Sequence, residues 1–405
     1  MPFEGKRALR ILAVDDSRVM RGVMRTVFEL HASQGDPGLP KMELCGLVRD
    51  GVEALEAVRT LAPDVLLLDL EMPRMNGLQV LEQLRTLAPR LPVIMCSAHT
   101  ERGARSTLDA LALGAKDYVM KPGQQKDFAS ALDTLMEQLL PKIAVLAGAG
   151  WSAPVAREAV RETSREMVWA PPPARMEEAS SGLVPVGIVV IGISTGGPSA
   201  LEQMLPMLPK DFPVPLMIVQ HMPKLFTGAL ADRLNRMCAM PVEQARDGAS
   251  VRPGTVLLAP GDAHMEIVAI GSGMGRGRGG MVKLHQGPPL NSCMPSADYL
   301  LSSAAAMYGA GTLALIMTGM GSDGLAGAME VKAARGTVIA QDEATSAVWG
   351  MPGRVVRAGV ASATIALPAL AGAIMQRVQA GRISPRAIPS AITNDTQREG
   401  THGLL

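Results

Sequence analysis

Acidic side chains follow short hydrophobic runs in the first part of this 405-residue chain. The run ILAV is followed by Asp15 and Asp16, and the run VLLLD ends in Asp69. Two later runs, PVIMC and DYVM, are followed by Ser97 and Lys121. Converging carboxylates repel one another unless a cation joins them, and hard oxygen ligands suit Mg²⁺. We therefore expect phosphoryl transfer to a carboxylate, with Lys121 and the Ser97 hydroxyl holding the phosphate. The alternative is that these polar residues are simply the first residues of solvated loops. That explanation would have to apply at all of these strand ends at once.

A serine in the second half of the chain lies between glycines. In GIVVIGISTGGPSALEQML a buried strand is followed by a tight turn at Ser194 and then by a helix, with Gly192 and Gly196 on either side. Such a turn presents the hydroxyl at the edge of a sheet, near helix N-terminal N–H groups that stabilise an oxyanion. A glycine loop that cradles phosphate has the same order of elements, so this stretch alone leaves both interpretations open.

A histidine and an aspartate follow two other hydrophobic runs of the same region. His221 comes after PLMIVQ, and Asp323 lies in MTGMGSDG after a third run. Serine, histidine and aspartate at three strand ends are the parts of an acyl-transfer triad, in which the histidine takes the serine proton and the carboxylate orients the imidazole. The chain order Ser, His, Asp differs from the Ser, Asp, His order of α/β-hydrolases and indicates another fold.

Other residues compete for these roles. His264 and His285 are rival bases, although a histidine in a strand or loop is more often structural. Asp262 is a rival for the orienting carboxylate, but it lies in a Pro-Gly turn where aspartate is favoured for backbone reasons. The segment GRGRGG at residues 275–280 matches a nucleotide-binding pattern. It precedes the strand-like MVKLH instead of a helix, which favours a hairpin loop.

Hydrophobic runs alternate with amphipathic stretches in two regions. Five such units span residues 8–140, with strands predicted at 11–14, 44–48, 65–69, 92–96 and 117–120. A second pattern spans residues 185–380, with strands predicted from 187 and at 215–220, 254–260, 312–319 and 336–342. Residues 141–184 are a Pro, Ala, Ser and charge mixture typical of an interdomain linker, and we expect residues 381–405 to form a disordered tail. This order predicts two α/β domains.

Composition excludes several classes of protein. Lys and Arg (39) nearly balance Asp and Glu (38), so we expect no basic face for nucleic acid. The cysteines at positions 45, 96, 238 and 293 form neither a C-x-x-C pair nor a metal-ligand cluster, so we expect reduced, mostly buried thiols. The sequence has no signal-peptide stretch and no apolar run of about 20 residues, which predicts a cytoplasmic protein without membrane insertion.

The segments LAVDDS, VLLLDLEMPRMNGL, IMCSAHT and DYVMKP resemble the receiver domain of two-component response regulators, a flavodoxin-like (βα)5 fold, over residues 8–140. The resemblance implies that Asp69 is the phosphoacceptor. It implies Ser97 and Tyr118 as switch residues that rearrange when Asp69 is phosphorylated. It also implies the ligands of Mg²⁺, which are Asp16, Asp69 and the carbonyl oxygen of Glu71, with Asp15 supporting the site.

The segments IGISTGGPSAL, IVQHMP, APGDAHM, GPPLNSCMPSAD, LIMTGMGSDGLAG and IAQDEATSAVWGMP together resemble the catalytic domain of chemotaxis protein-glutamate methylesterases over residues 186–378. The resemblance implies a doubly wound, mainly parallel α/β domain with Ser194 as nucleophile, His221 as base and Asp323 as its orienting partner. Its remaining implied site residues are the Met320 N–H as oxyanion donor and, in support, Thr195 and His264. It implies no cofactor for the hydrolysis.

Together, the two resemblances imply a phosphorylation-activated hydrolase that demethylates glutamate methyl esters and deamidates glutamines on chemoreceptors. A chemotaxis histidine kinase would donate the phosphoryl group, the unphosphorylated receiver would cover the catalytic cleft, and the protein would act as a monomer. Two other classes compete. A binding module without catalysis would lack one of Ser194, His221 or Asp323, and a transcription factor would carry a basic helix-turn-helix after the linker, where none is visible.

Overall fold

The computed structural model describes residues 7–36, 38–122, 128–148, 184–270 and 280–380, which form two α/β domains. The expected linker lies mostly outside the described residues, and the expected tail lies entirely outside them. Of the GRGRGG segment only Gly280 is described, at the start of a strand that pairs antiparallel with the strand before it. No helix of the described residues is both long and apolar enough to cross a lipid bilayer.

The first domain is a five-stranded parallel sheet in the order β2-β1-β3-β4-β5, which confirms the predicted (βα)5 fold. Strand β3 is buried along its whole length, as expected for a central strand with helices on both faces. Side chains of Asp50, Asn76 and Thr100 cap the second, third and fourth helices. The elements are β1 (Leu9–Val14), α1 (Arg18–Gln34), β2 (Met42–Val48), α2 (Gly51–Leu61), β3 (Val65–Asp69), α3 (Gly77–Leu87), β4 (Val93–Ser97), α4 (Glu101–Ala112), β5 (Asp117–Met120) and α5 (Phe128–Leu146).

Helix α5 extends past residue 140, where we expected the first domain to end. Pro141 lies inside this helix and lacks the N–H that would bond to the preceding turn. The helix continues because Ile143 and Ala144 are fully buried in the core under the sheet, so the apolar face does not end at the proline. The expected linker therefore begins with helical residues.

The second domain is a seven-stranded sheet in the order β15-β14-β13-β6-β7-β10-β8, in which every pairing is parallel. A small antiparallel sheet, β11-β12-β9, lies beside it. This arrangement confirms the predicted mainly parallel α/β domain. Its strands are β6 (Ile188–Ile193), β7 (Leu216–Gln220), β8 (Val242–Gln244), β9 (Ser250–Val251), β10 (Val256–Leu258), β11 (His264–Ala269), β12 (Gly280–His285), β13 (Thr312–Ile316), β14 (Thr337–Gln341) and β15 (Ala363–Ile365), and its helices are α6 (Gly197–Met204), α7 (Lys224–Met237), α8 (Ala297–Tyr308), α9 (Leu325–Ala333), α10 (Met351–Arg357) and α11 (Leu367–Ala380).

The two domains pack through α4 of the first against α6 and α7 of the second, and β5 contributes Tyr118 to the interface. The rings of Tyr118 and Phe226 stack across this interface, with centroids 4.6 Å apart and planes 6° from parallel. The Ser199 hydroxyl donates a hydrogen bond to the Leu111 carbonyl at 3.1 Å. Arg233 of α7 pairs with Asp109 of α4. Apolar stacking and charge pairing thus join the domains in one arrangement.

Candidate active site and receiver site

Ser194 lies directly after β6, at the turn that leads into α6. Its N–H donates to the Thr318 carbonyl at 2.9 Å, which ties the turn to the segment after β13. Gly196 has φ +77°, a left-handed conformation that favours glycine. The Gly197 N–H is bonded to the Ser194 carbonyl at 2.8 Å and is therefore not free to bind a phosphate. This local geometry favours the nucleophile interpretation of GISTGG over the phosphate loop.

His221 lies on the neighbouring strand end, because β6 and β7 pair in parallel with Ile193 opposite Gln220. The His221 backbone N–H donates to the Ile193 carbonyl at 3.1 Å, so the two strand ends stay together for one residue beyond the sheet. The imidazole Nε2 is 2.7 Å from Oδ2 of Asp323. The predicted histidine and aspartate therefore meet, and Nδ1 is left as the nitrogen that can accept a proton.

The Asp323 carboxylate is buried and accepts several hydrogen bonds besides the one from His221. Oδ1 accepts from the Ser296 hydroxyl at 2.6 Å, and Oδ2 accepts from the Ala297 N–H at the start of α8 at 2.6 Å. Burial alone would raise the pKa of Asp323, but its bonds to His221, Ser296 and Ala297 lower the pKa to about 2. The carboxylate is thus held ionised and fixed in orientation.

The environment of His221 favours its charged form. Burial lowers its pKa, but the charge of Cys293 and the hydrogen bond to Asp323 outweigh burial and raise the pKa to about 10. The Cys293 sulfur is 3.5 Å from Nδ1. Within the described part of the chain, the Ser194 hydroxyl makes no hydrogen bond. In this state Nδ1 of the charged imidazole faces the Cys293 sulfur, so proton transfer from Ser194 requires Nδ1 to lose its proton and the serine to take the place of the sulfur.

The three residues expected to support catalysis occupy different positions. Met320 lines the same cleft as Ser194, and its N–H has no hydrogen-bond partner among the described residues. The Thr195 hydroxyl donates to Oδ2 of Asp117, a residue of the first domain, at 2.7 Å. His264 is fully buried, and its Nδ1 accepts from the Ser296 N–H at 3.1 Å. His264 therefore contacts Ser296, which in turn holds the Asp323 carboxylate. It makes no hydrogen bond to Ser194.

The rival residues do not meet the serine. His285 lies directly opposite His264 in the antiparallel pair β11-β12, and its Nε2 is 3.5 Å from Glu266. Asp262 has φ +66°, a left-handed conformation that aspartate tolerates in turns, which agrees with the turn expected from the sequence. It lines the same cleft, but the imidazole of His221 is bonded to Asp323 and not to Asp262.

At the carboxyl ends of β1 and β3, the carboxylates of Asp15, Asp16 and Asp69 have ligand atoms within 4.8 Å of one another. The Lys121 ammonium lies 2.8 Å from both Asp15 and Asp69. Burial raises the pKa of Asp69 to about 6, with a contribution from the charge of Asp15 and opposed by Lys121. Three hard oxygen donors with incompletely neutralised charge fit a divalent cation of the Mg²⁺ type.

The side chains of the other predicted receiver residues have partners outside this group of carboxylates. The Ser97 hydroxyl is buried and accepts from the Thr107 hydroxyl of α4 at 2.7 Å. The Tyr118 ring lies against the second domain, as described above. The Glu71 carboxylate is exposed and pairs with Arg102 at 3.2 Å, which leaves only its backbone carbonyl for the metal role that the resemblance implies.

A cleft of about 860 Å³ lies between the domains and contains Ser194, His221 and Met320. Residues of β5 and α5 of the first domain form its opposite wall. Asp117 joins the two walls, because it accepts from Thr195 and pairs with Lys142 of α5 at 2.9 Å. The first domain therefore contacts the residue next to Ser194 directly.

Sequence reasoning missed four residues of this site: Asp117, Asn291, Cys293 and Ser296. The segment GPPLNSCMPSAD contains the last three, but it has no hydrophobic periodicity from which the directions of its side chains could be predicted. The expectation that the thiols are mostly buried and lie in no ligand cluster was wrong. All four cysteines are free and only Cys96 is fully buried, while folding brings Cys293 within 4.8 Å of ligand atoms of His221 and Asp323.

Comparison with known proteins agrees with this architecture. The family model described as response regulator receiver domain matches residues 11–133, and that described as CheB methylesterase matches residues 189–374. The protein-glutamate methylesterase/protein-glutamine glutaminase of Trichodesmium erythraeum (strain IMS101) is 38% identical over 91% of this chain and 99% of that relative. A protein of the same name, numbered 2, from Koribacter versatilis (strain Ellin345) is 40% identical over 93% of this chain and 98% of its own length. The crystal structure of the Thermotoga maritima CheB methylesterase catalytic domain is 41% identical over 48% of this chain and 99% of that chain, with a TM-score of 0.45.

A receiver domain followed by an α/β domain with a serine, histidine and aspartate at strand ends defines a response regulator with an enzymatic output domain. Relatives at about 38–40% identity match nearly the whole chain and almost their own full length. The chain belongs to the protein-glutamate methylesterase/protein-glutamine glutaminase family.

Proposed function

We propose that this protein demethylates glutamate methyl esters and deamidates glutamines on chemoreceptors, and that phosphorylation of its receiver domain activates it. The observation that carries the proposal is the His221–Asp323 pair at 2.7 Å on the strand end beside Ser194, in a cleft whose other wall is the receiver. This combination supplies a base for the nucleophile and a contact through which the receiver can control it. A binding module would need neither the ionised Asp323 nor the oriented imidazole.

In the proposed mechanism, Asp323 accepts from Nε2 and so fixes the ring with Nδ1 as the proton acceptor. Nδ1 takes the Ser194 proton while Oγ attacks the γ-carbonyl carbon of the substrate. The unused Met320 N–H stabilises the oxyanion. His221 then gives its proton to the leaving methanol or ammonia, and a water activated in the same way releases free glutamate. Ester and amide share this route because both pass through a tetrahedral oxyanion.

In the receiver, Asp69 is the proposed phosphoacceptor. Asp15, Asp16, Asp69 and the Glu71 carbonyl would hold Mg²⁺, which supplies positive charge against the phosphoryl oxygens. Lys121 already lies 2.8 Å from the acceptor carboxylate and is placed to pair with the phosphoryl group. Ser97 would turn from Thr107 toward that group.

Control follows from the position of β5, which carries Asp117 and Tyr118 and is followed by Lys121. A phosphoryl group that binds Lys121 acts three residues from the contact with Phe226 and four residues from the contact with Thr195. Phosphorylation shifts the population toward an open cleft only if those contacts are weaker in the phosphorylated state. We place the protein in the cytoplasm as a monomer, with chemoreceptors as substrates and a chemotaxis histidine kinase as phosphodonor.

The proposed nucleophile is testable with a fluorophosphonate probe, which reacts with activated serines. We expect labelling of the intact chain, and peptide mass spectrometry should locate the label on Ser194. Asp323→Asn should slow labelling by about 10⁴-fold, because the imidazole loses its orienting carboxylate. Asp262→Asn, in the same cleft, is the matched control and should label normally. Unchanged labelling of Asp323→Asn would reject the proposed triad.

A further inference from the structure

The free nitrogen of the proposed base faces a thiol. Nδ1 of His221 and Sγ of Cys293 are 3.5 Å apart. A tetrahedral zinc ion with a bond of about 2.3 Å to sulfur and about 2.1 Å to nitrogen separates those two atoms by about 3.6 Å. The pair is therefore already spaced as two ligands of one thiophilic cation.

The other side of the ring is arranged as metal-binding histidines usually are. Nε2 is bonded to the Asp323 carboxylate at 2.7 Å, which fixes the ring and makes Nδ1 the nitrogen that ligates a cation once its proton has left. A carboxylate behind the imidazole also makes the ligand nitrogen more basic. The ligand atoms of Cys293, His221 and Asp323 all lie within 4.8 Å of one another.

Cys293 is also accessible from the cleft. It is half-buried and lines the interdomain cleft, so a hydrated cation can reach it. In the described part of the chain it is the only cysteine that lies in a cluster of ligating side chains. Cys45 and Cys96 belong to the receiver, and Cys238 lies at the end of α7.

We propose that Cys293 Sγ and His221 Nδ1 bind a divalent cation of the Zn²⁺ class, with Asp323 as the partner that orients the imidazole and water in the remaining positions. The thiol proton and the Nδ1 proton of the charged imidazole are released to solvent when the metal binds, without any redox change. Binding blocks the enzyme, because the cation takes the nitrogen that accepts the Ser194 proton. This second part rests on the proposed function.

The site itself is testable without the enzymatic reaction. Full-length protein is titrated with Co²⁺ chloride, and the near-ultraviolet absorption that a cobalt–thiolate bond produces is recorded. We expect one equivalent of Co²⁺ to produce the band, Zn²⁺ to displace it, and Cys293→Ser to abolish it. The receiver carboxylates bind Co²⁺ only through oxygen and give no thiolate band. Cys238→Ser is the matched control and should keep it.

Three outcomes decide the site. A band that is lost in Cys293→Ser and in Cys293→Ala, and is weakened about tenfold in Asp323→Asn, supports it. No band in the intact protein overturns it. A band that persists in both Cys293 variants also overturns it, because the sulfur ligand is then another cysteine.

The inhibitory role needs a second measurement. Zn²⁺ should stop methanol release from methylated receptors by the intact protein, EDTA should restore it, and Cys293→Ser should need at least tenfold more Zn²⁺ for the same inhibition. Equal inhibition of both proteins would overturn the role. If metal-free protein releases no methanol, the proposed function fails, and the cobalt band still decides the site.

Discussion

At the scale of single residues, the site depends on how firmly Asp323 is held. Its two oxygens accept from His221, Ser296 and Ala297, and the pKa of about 2 keeps the carboxylate ionised at neutral pH. The ring of His221 therefore has one orientation. The Asn291 amide adds a longer contact to Oδ1 at 3.3 Å.

Removing the Ser296 hydroxyl should weaken this support without removing the proposed triad. A hydrogen bond to a charged group contributes about 1.5–3 kcal/mol, so we expect Ser296→Ala to lower kcat about 10-fold to 100-fold with little change in KM. Ser302→Ala is the matched control, since it lies in the same helix α8 and its hydroxyl has no hydrogen bond within the described residues. Equal kcat values for Ser296→Ala and wild type would show that Asp323 does not need this bond.

Sequence reasoning found the residues that directly follow strands and missed those that do not. Ser194 and His221 were predictable because the ends of parallel strands meet at one edge of a sheet. Ser296 and Cys293 lie in a long loop, and what brings them to Asp323 and His221 is the packing of α8 against β6 and β11. Such contacts depend on residues far apart in the chain, and no local pattern encodes them.

At the scale of elements, the loop after β13 packs tightly against the Ser194 turn. A Cβ on Gly319 would lie 2.7 Å from the Ser194 Cβ and would overlap the Met351 sulfur. The Gly319 N–H and carbonyl also bond to residues 348, 350 and 351. This glycine lets two loops approach each other, so that Met320 and Ser194 share one cleft.

Adding a methyl group at Gly319 should therefore displace the serine. Overpacking of this kind typically costs about 1–3 kcal/mol, and we expect Gly319→Ala to lower the free energy of unfolding by this amount and to slow fluorophosphonate labelling. Gly372→Ala in α11 is the control, because its Cβ would meet no atom within 4 Å. It should raise stability by about 0.5–1 kcal/mol. Urea unfolding measures both, and equal stability of the two variants would contradict the packing argument.

The central strands β3, β6 and β13 were predictable as elements because each is a continuous buried run, which is how strands covered on both faces read in sequence. The end of α5 was not predictable, because a proline inside a helix looks in sequence like the end of that helix. Burial of Ile143 and Ala144 offsets the lost hydrogen bond there, and that burial depends on the whole sheet.

At the scale of the whole molecule, Asp117 links the two domains next to the proposed nucleophile. It is buried, accepts from Thr195, and pairs with Lys142, which also donates to the Tyr118 carbonyl at 2.7 Å. The receiver therefore forms one wall of the cleft and is joined to the other wall through a charge-assisted contact, with the Tyr118–Phe226 stack as a second contact between the domains. The expectation that the receiver covers the cleft came from the family resemblance alone, because no pattern of residues in the sequence shows an interface.

Breaking this link should release the enzyme in part. A hydrogen bond to a carboxylate contributes about 1.5–3 kcal/mol, so Asp117→Ala should raise activity without phosphodonor by about tenfold or more. Asp133→Ala, an exposed aspartate of α5, should leave it unchanged. The measurement is methanol release in the absence of phosphodonor. Basal activity at the wild-type level in a folded Asp117→Ala protein would exclude this contact from control of the cleft.

The most direct test of the account measures hydrolysis and its control together. Methanol release from methylated receptor membranes is followed with and without a small-molecule phosphodonor and Mg²⁺, for wild type, Ser194→Ala and Asp69→Asn. We expect the phosphodonor to stimulate release by wild type, Ser194→Ala to release none, and Asp69→Asn to keep basal release without stimulation. Stimulated release by either variant, or no release by wild type from receptors that a related esterase demethylates, would contradict the account.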